Sequence, residues 1–392
     1  MRLFRCGVCS QMLYFENRRC EKCGHRLGYL PDLNSLVEVL EEGEDFRAVG
    51  VENRRFRFCA NAAHDACNWL VPAESHDEYC LACRHNRTVP DLTNRAYLTK
   101  WRRIEVAKHR LVYSLLRLNL PLESNEDREG GLCFDFLADP QEQTEPRVMT
   151  GHDEGLVTIA LAEADDAERE QRRNDLGELY RTLLGHFRHE VGHYYWNRLV
   201  RDGGRIAAFR DLFGDESVDY GDALKAYYQD GPPPDWVQNH VSAYATAHPW
   251  EDFAETFKHY IHIVDTLEMA GAFGMSVDPR LDRSGGLKSQ VDFNPYRAYP
   301  IEQMVDAWLP IAFALNSLNR CLGMGDAYPF VLGRGVIAKL GFIHNLVHRA
   351  TAADPVRAAV AERVEAVAPA PQTAGDADAP AKPVGAVASA AE

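Results

Sequence analysis

Tyr180-Arg181-Thr182-Leu183-Leu184-Gly185-His186-Phe187-Arg188-His189-Glu190-Val191-Gly192-His193-Tyr194-Tyr195-Trp196 is the stretch on which the reading of this chain turns. Its apolar spacing predicts a helix from near residue 176 to about residue 200, closed by Asp202-Gly203-Gly204. On that helix His189 and His193, four residues apart, share one face about 6 Å apart along the axis. Two imidazoles at that separation can grip one zinc ion. Glu190 sits beside the first histidine and would act as general base on a water attacking a peptide carbonyl. Gly192 leaves room for another backbone to approach. Phe187, Val191, Tyr194, Tyr195 and Trp196 mark the helix as buried, and a buried histidine without a partner is costly, so a metal is the natural partner.

A catalytic zinc takes three protein ligands and keeps a fourth position open. The third is sought in Trp250-Glu251-Asp252-Phe253-Ala254-Glu255-Thr256-Phe257, on a helix opened by Pro249 and running through residue 265. Glu251 and Glu255 share a face of an otherwise apolar stripe. One would bind the metal while the other fixes a histidine N–H; His248 is a further candidate ligand.

His189-Glu190-Val191-Gly192-His193 followed by this segment resembles the lethal-factor-type gluzincin peptidases, whose pattern is HExGH and then E-x-F-A-E-x-F. The resemblance implies Glu251 as third ligand and Glu255 as the partner behind a ligand histidine. It also implies Tyr244, seven residues before Glu251, as hydrogen-bond donor to the developing oxyanion. More widely, residues 154–159, 180–190 and 193–196 resemble a bacterial family of zinc-ribbon-containing putative zinc metallopeptidases, a likeness covering most of residues 1–350. It implies an α+β fold: a zincin-like, mostly helical metallopeptidase domain with a small sheet, preceded by N-terminal zinc-ribbon units. In zincins a strand near residues 156–161 is the sheet edge that pairs with extended substrate, as strand addition would predict, with an ordinary interior strand as the alternative.

Eight of ten cysteines precede residue 84. Cys6, Cys9, Cys20 and Cys23 form two Cys-x-x-Cys knuckles, the pattern of a structural zinc held by four thiolates. Cys59, Cys67, Cys80 and Cys83 form a looser group, read as a second structural zinc, with His64 and His85 as substitutes for one thiol. The expected cofactor is therefore Zn2+, one ion catalytic and one or two structural. Cys133 and Cys321 lie in apolar surroundings and read as buried small hydrophobes.

The 392 residues divide by composition into a zinc ribbon (1–30), a connector and second cysteine unit (31–90), a metallopeptidase domain (91–350) and an Ala/Pro-rich tail (351–392) expected to be largely disordered. Helices are expected at 92–120, stopped by Pro121, and at 222–228, 301–322 and 336–349; strands at 132–137 and 156–161. Net charge is −15, with +4 over residues 1–118 (19 Lys and Arg against 15 Asp and Glu), which leaves −19 for the rest. That balance argues against nucleic acid as a partner. No apolar run reaches the roughly 20 residues of a membrane span, and no signal-like segment opens the chain, so a cytoplasmic protein is expected. The reading is a zinc-dependent peptidase of the gluzincin kind acting on a protein or peptide, with a protein partner reached through the ribbons. Its alternatives are a ribbon-based binding or regulatory protein on a silent zincin scaffold, and a zinc hydrolase of a non-peptide amide.

Overall fold

In the computed structural model, which describes residues 2–140, 146–175, 178 and 180–352, the chain opens with a hairpin, β1 (Phe4–Arg5) against β2 (Met12–Leu13). An antiparallel sheet of five strands in chain order follows: β3 (Arg26–Leu30), β4 (Ser35–Glu42), β5 (Asp45–Ala48), β6 (Arg55–Phe58) and β7 (Leu70–Pro72). Because β3 pairs with β4, this sheet runs through residue 30, where composition suggests a boundary. Residues 31–58, expected as a connector with short strands, supply its central strands β4, β5 and β6. Leu30, Val39, Ala48, Phe56 and Leu70 close a small core of their own on it.

After β8 (Asn86–Thr88) comes α1 (Arg95–Arg117). Asn94 caps it, its Oδ1 accepting from the N–H groups of Ala96 and Tyr97 at 3.0 and 3.4 Å. The helix ends before Pro121, because Asn119 takes the left-handed conformation (φ 50°) that stops helices. A second sheet has the order β10-β11-β9-β8, with β9 (Cys133–Leu137), β10 (Gly151–Asp153) and β11 (Leu156–Ala160). β11 lies parallel to β9 and antiparallel to β10. It is an interior strand, so the edge position expected for residues 156–161 does not hold; the edges of this sheet are β10 and β8.

The rest is helical. The polar run after β11 forms α2 (Asp166–Asp175), and α3 (Leu183–Tyr195) continues into a wider π turn, Trp196–Arg201. α3 starts later than its apolar pattern suggests. Thr182 is extended and its Oγ1 caps the helix by accepting from Gly185 N–H at 3.0 Å. Residues 176–177 and 179 of the expected start lie outside the described residues, as does the expected tail from 353 on. α4 (Ile206–Phe213), which the sequence reading lacks, is followed by α5 (Tyr220–Asp230), α6 (Pro249–Ala272), a hairpin of β12 (Ser276–Val277) and β13 (Ser289–Gln290), α7 (Ile301–Cys321) and α8 (Arg334–Ala352). No helix among the described residues is long and apolar enough to cross a membrane. Cys133 is buried as expected, but Cys321, at the end of α7, is exposed.

α6 is the central helix, with Phe253, Phe257, Ile261, Val264 and Leu267 all inaccessible. α3 lies directly on it. A Cβ on Gly192 would stand 2.9 Å from Ala254 Cα and 3.2 Å from its carbonyl oxygen, so only glycine permits this approach. That approach sets the distance between the two helices that carry the candidate site.

Candidate metal centre

α3 and α6 bring His189, His193 and Glu251 to one point. His189 Nε2 and His193 Nε2 are 3.3 Å apart, and Glu251 Oε2 is 3.0 Å from the first and 3.6 Å from the second. An ion bound tetrahedrally at about 2.0–2.1 Å spaces its ligand atoms about 3.3 Å apart. Glu251 is 1 % exposed, and its Oε2 has no hydrogen-bond donor despite the close imidazoles. The three atoms cluster at ligand-to-ligand spacing, and a buried carboxylate oxygen without a donor calls for a cation. On these grounds the residues fit zinc. A carboxylate oxygen of Glu190 lies within 4.8 Å of the histidine nitrogens.

Glu255 is the support. Its Oε1 meets His189 Nδ1 at 2.8 Å and Lys258 Nζ, while its Oε2 accepts from Ser242 Oγ at 2.7 Å. Such a partner fixes the ring and leaves Nε2 free for a metal. Burial opposes a charge on His189, but the carboxylates of Glu251 and Glu255 outweigh it and raise its pKa to about 10. Burial likewise opposes ionisation of Glu251, and His193 and His189 overcome it, holding the carboxyl well below its usual range. His248, the other ligand candidate, is occupied elsewhere. Its Nδ1 accepts from Trp250 N–H at 3.1 Å as the cap of α6, and its Nε2 meets the Val218 carbonyl at 3.1 Å.

Tyr244 lies in a short 3-10 turn, with its ring centroid 6.1 Å from that of His189. Burial and the neighbouring charge of Glu251 push its hydroxyl pKa up, so it stays a donor. Tyr220, absent from the sequence reading, donates to Glu251 Oε1 at 2.8 Å. His152 on β10 stacks on His193 at 5.9 Å, and burial, then His193 and Arg201, lower its pKa to about 3. Neither residue carries a local signal, because α5 and β10 reach the site only through the fold.

The cysteines gather in the two expected groups. Cys6 and Cys23 Sγ are 3.6 Å apart, as are Cys9 and Cys20; Cys67 and Cys80 are 3.7 Å apart. Four sulfurs around zinc at about 2.3 Å would be spaced about 3.8 Å. His64 and His85 do not replace a thiol in the second group. His109 of α1 approaches it instead, with Nε2 3.3 Å from Cys67 Sγ and 3.6 Å from Cys83 Sγ. A polar cluster inside the apolar stripe of α1 (Glu105, Lys108, His109) was the available sign of this.

Residues 97–346 match the model of a family described as "putative zinc-binding metallo-peptidase", and residues 3–94 match a zinc-ribbon domain. Uncharacterized proteins of Mycobacterium tuberculosis (two strains) and Mycobacterium bovis are each 40% identical over 350 residues, covering 88% of this chain and 95% of theirs. No solved structure matches the chain. The matched region takes in both helices of the metal centre and more than half of the sequence, and the chain therefore belongs to this zinc-binding metallopeptidase family, with a zinc-ribbon domain ahead of it.

Proposed function

We propose that the protein is a gluzincin-type peptidase on a zincin-like fold, hydrolysing peptide bonds with Glu190 as general base. The observation that carries this is the convergence of His189, His193 and the donor-less oxygen of Glu251 beside the Glu190 carboxylate. Zinc held by these three residues would supply the Lewis acidity that makes water nucleophilic near neutral pH and polarises a carbonyl. Glu190 takes the proton as the water oxygen bonds to the peptide carbon. It then passes that proton to the departing nitrogen as the C–N bond breaks. Tyr244 donates to the oxygen that gains charge, a role suited to a buried, protonated phenol. Glu255, steadied by Ser242 and Lys258, keeps His189 in one tautomer and orientation. A cytoplasmic setting suits thiols gathered in fours rather than paired as disulfides.

Glu190→Gln tests the reading. Zinc content by elemental analysis should stay at the wild-type value while hydrolysis falls by about 100-fold or more. A variant that cleaves peptide as fast as the wild type would refute the assignment of the base.

A further inference from the structure

Two cavities meet at the metal centre. One, of about 770 Å³, runs past His152, His193, Trp196 and Tyr220; the other, of about 430 Å³, runs past Tyr180, Tyr227, Trp236 and Phe330. Thr150, His189, Glu190 and Tyr244 line both. The candidate base thus stands midway along an open trench, with room for substrate on either side of the bond it would attack. An enzyme that trims chain ends closes one side and meets the terminal charge there with a free charge of its own. The described charges of the second cavity are committed elsewhere. Arg181 pairs with Glu163 and Glu178 at 2.8 and 2.7 Å, and Lys258 pairs with Glu255. His186 lies 3.0 Å from Glu163.

The second cavity is walled by aromatic rings. Tyr180 packs against Phe330 at 5.9 Å, and Tyr227 against Tyr244 at 5.9 Å and Tyr228 at 5.4 Å. Rings with no uncommitted positive charge among the described residues select a large apolar side chain, since burial of its surface is the main gain on offer. β10 adds the third element. It is an edge strand of its sheet, and its Gly151 and His152 lie on the first cavity, while Thr150 just before it lies on both. An extended peptide added along that edge would span both cavities.

We propose that the trench binds an internal, extended segment of a polypeptide, making the enzyme an endopeptidase, and that the cavity of Tyr180, Tyr227, Trp236 and Phe330 takes a large apolar or aromatic side chain close to the scissile bond. This rests on the peptidase reading and names its substrate class. The test uses the full-length zinc-loaded protein and two internally randomised peptide libraries, one acetylated and amidated at its ends and one with both ends free. Product termini are read by mass spectrometry. In parallel, binding of the same labelled peptides to Glu190→Gln is read by fluorescence anisotropy.

The expected result is cleavage of blocked peptides, with one position favouring Phe, Tyr or Leu over Gly by about 10-fold or more. Glu190→Gln should bind with the same order of preference. Phe330→Ala should reduce that preference, and Tyr228→Ala, at a residue 63% exposed, gives the same readout should the first variant fail to fold. Cleavage confined to peptides with a free terminus overturns the endopeptidase assignment and leaves the peptidase reading standing. Cleavage with no preference at any position overturns the apolar pocket. Selective binding without cleavage by the wild type supports the trench and overturns the peptidase reading, and neither binding nor cleavage overturns both.

Discussion

Glu251 gives its two oxygens different tasks. Oε2 faces the imidazoles of His189 and His193, while Oε1 accepts the hydroxyl of Tyr220. The tyrosine thereby fixes which oxygen is free for a metal, in the way that Glu255 fixes His189. Tyr244 is placed differently, with its ring beside His189, and the hydroxyl that donates to Glu251 is that of Tyr220. The two tyrosines should therefore fail differently. Tyr220→Phe is expected to weaken zinc binding about 10-fold or more, as loss of a partner behind a ligand does. Tyr244→Phe should leave zinc affinity near that of the wild type and lower kcat by about 100-fold, the cost of one oxyanion donor. Chelator competition and steady-state kinetics on both variants separate the cases, and equal loss of zinc in the two would refute the division of labour.

Between elements, the site depends on how closely α3 lies on α6. Gly192→Ala puts a methyl where Ala254 Cα is 2.9 Å away, and the backbone atoms there cannot rotate aside. The helices must part, moving His189 and His193 away from Glu251. The expected cost is about 1–3 kcal/mol with weaker zinc binding, read by denaturant unfolding and chelator competition. A second fastening lies just ahead of α3. Glu163 has a fully buried side chain, and burial opposes its charge, but His186 and Arg181 overcome this and bring its pKa from 4.5 to about 2. A carboxylate with a depressed folded pKa stabilises the fold above its unfolded value. Its contribution, on the order of 3 kcal/mol, should fade as pH falls from about 4.5 to about 2, and Glu163→Gln should flatten urea-unfolding curves across that window. Sequence reading reached α3 and α6 because apolar periodicity and metal-ligand spacing are local properties. The same locality explains what it lacked. Thr182 stops α3 through its cap, Asn119 ends α1 through a left-handed backbone, and β10 outranks β11 as the edge through strand order. Tyr220 and His109 act on partners 31 and 42 residues away or through several elements at once, and no spacing rule reports such meetings.

At the scale of the whole molecule, the second cysteine group is where the ribbon region and the peptidase region are joined. Most of α1, including His109 and Lys108, lies inside the stretch that matches the peptidase family, yet His109 faces the sulfurs of Cys67 and Cys83, and the charge of Lys108 acts on Cys83. Four thiolates around a divalent zinc leave two negative charges in a buried site. His109 meets that excess. Its Nδ1 lies 2.6 Å from the Glu105 carbonyl and its Nε2 faces the sulfurs, so as an imidazolium it donates from both nitrogens. Burial opposes that charge, but Cys83 and Glu105 raise the pKa of His109. Lys108, wholly buried, pairs with Glu105 at 2.9 Å beside it. A zinc held by this cysteine group would thus be tied by charge to a helix that also packs against α3, and losing it should be felt beyond the ribbon. Elemental analysis should find about three zinc ions per wild-type chain and about two in Cys80→Ser. The Cys80→Ser protein should also melt about 5 °C or more lower, because α1 keeps a buried histidine facing a cysteine site whose charge has gone. His109→Ala should retain three ions at saturation but release one of them to chelator about 10-fold more readily. A Cys80→Ser protein with one zinc fewer and an unchanged melt would show that the two regions are stabilised independently, and that α1 does not carry the strain of an emptied cysteine site.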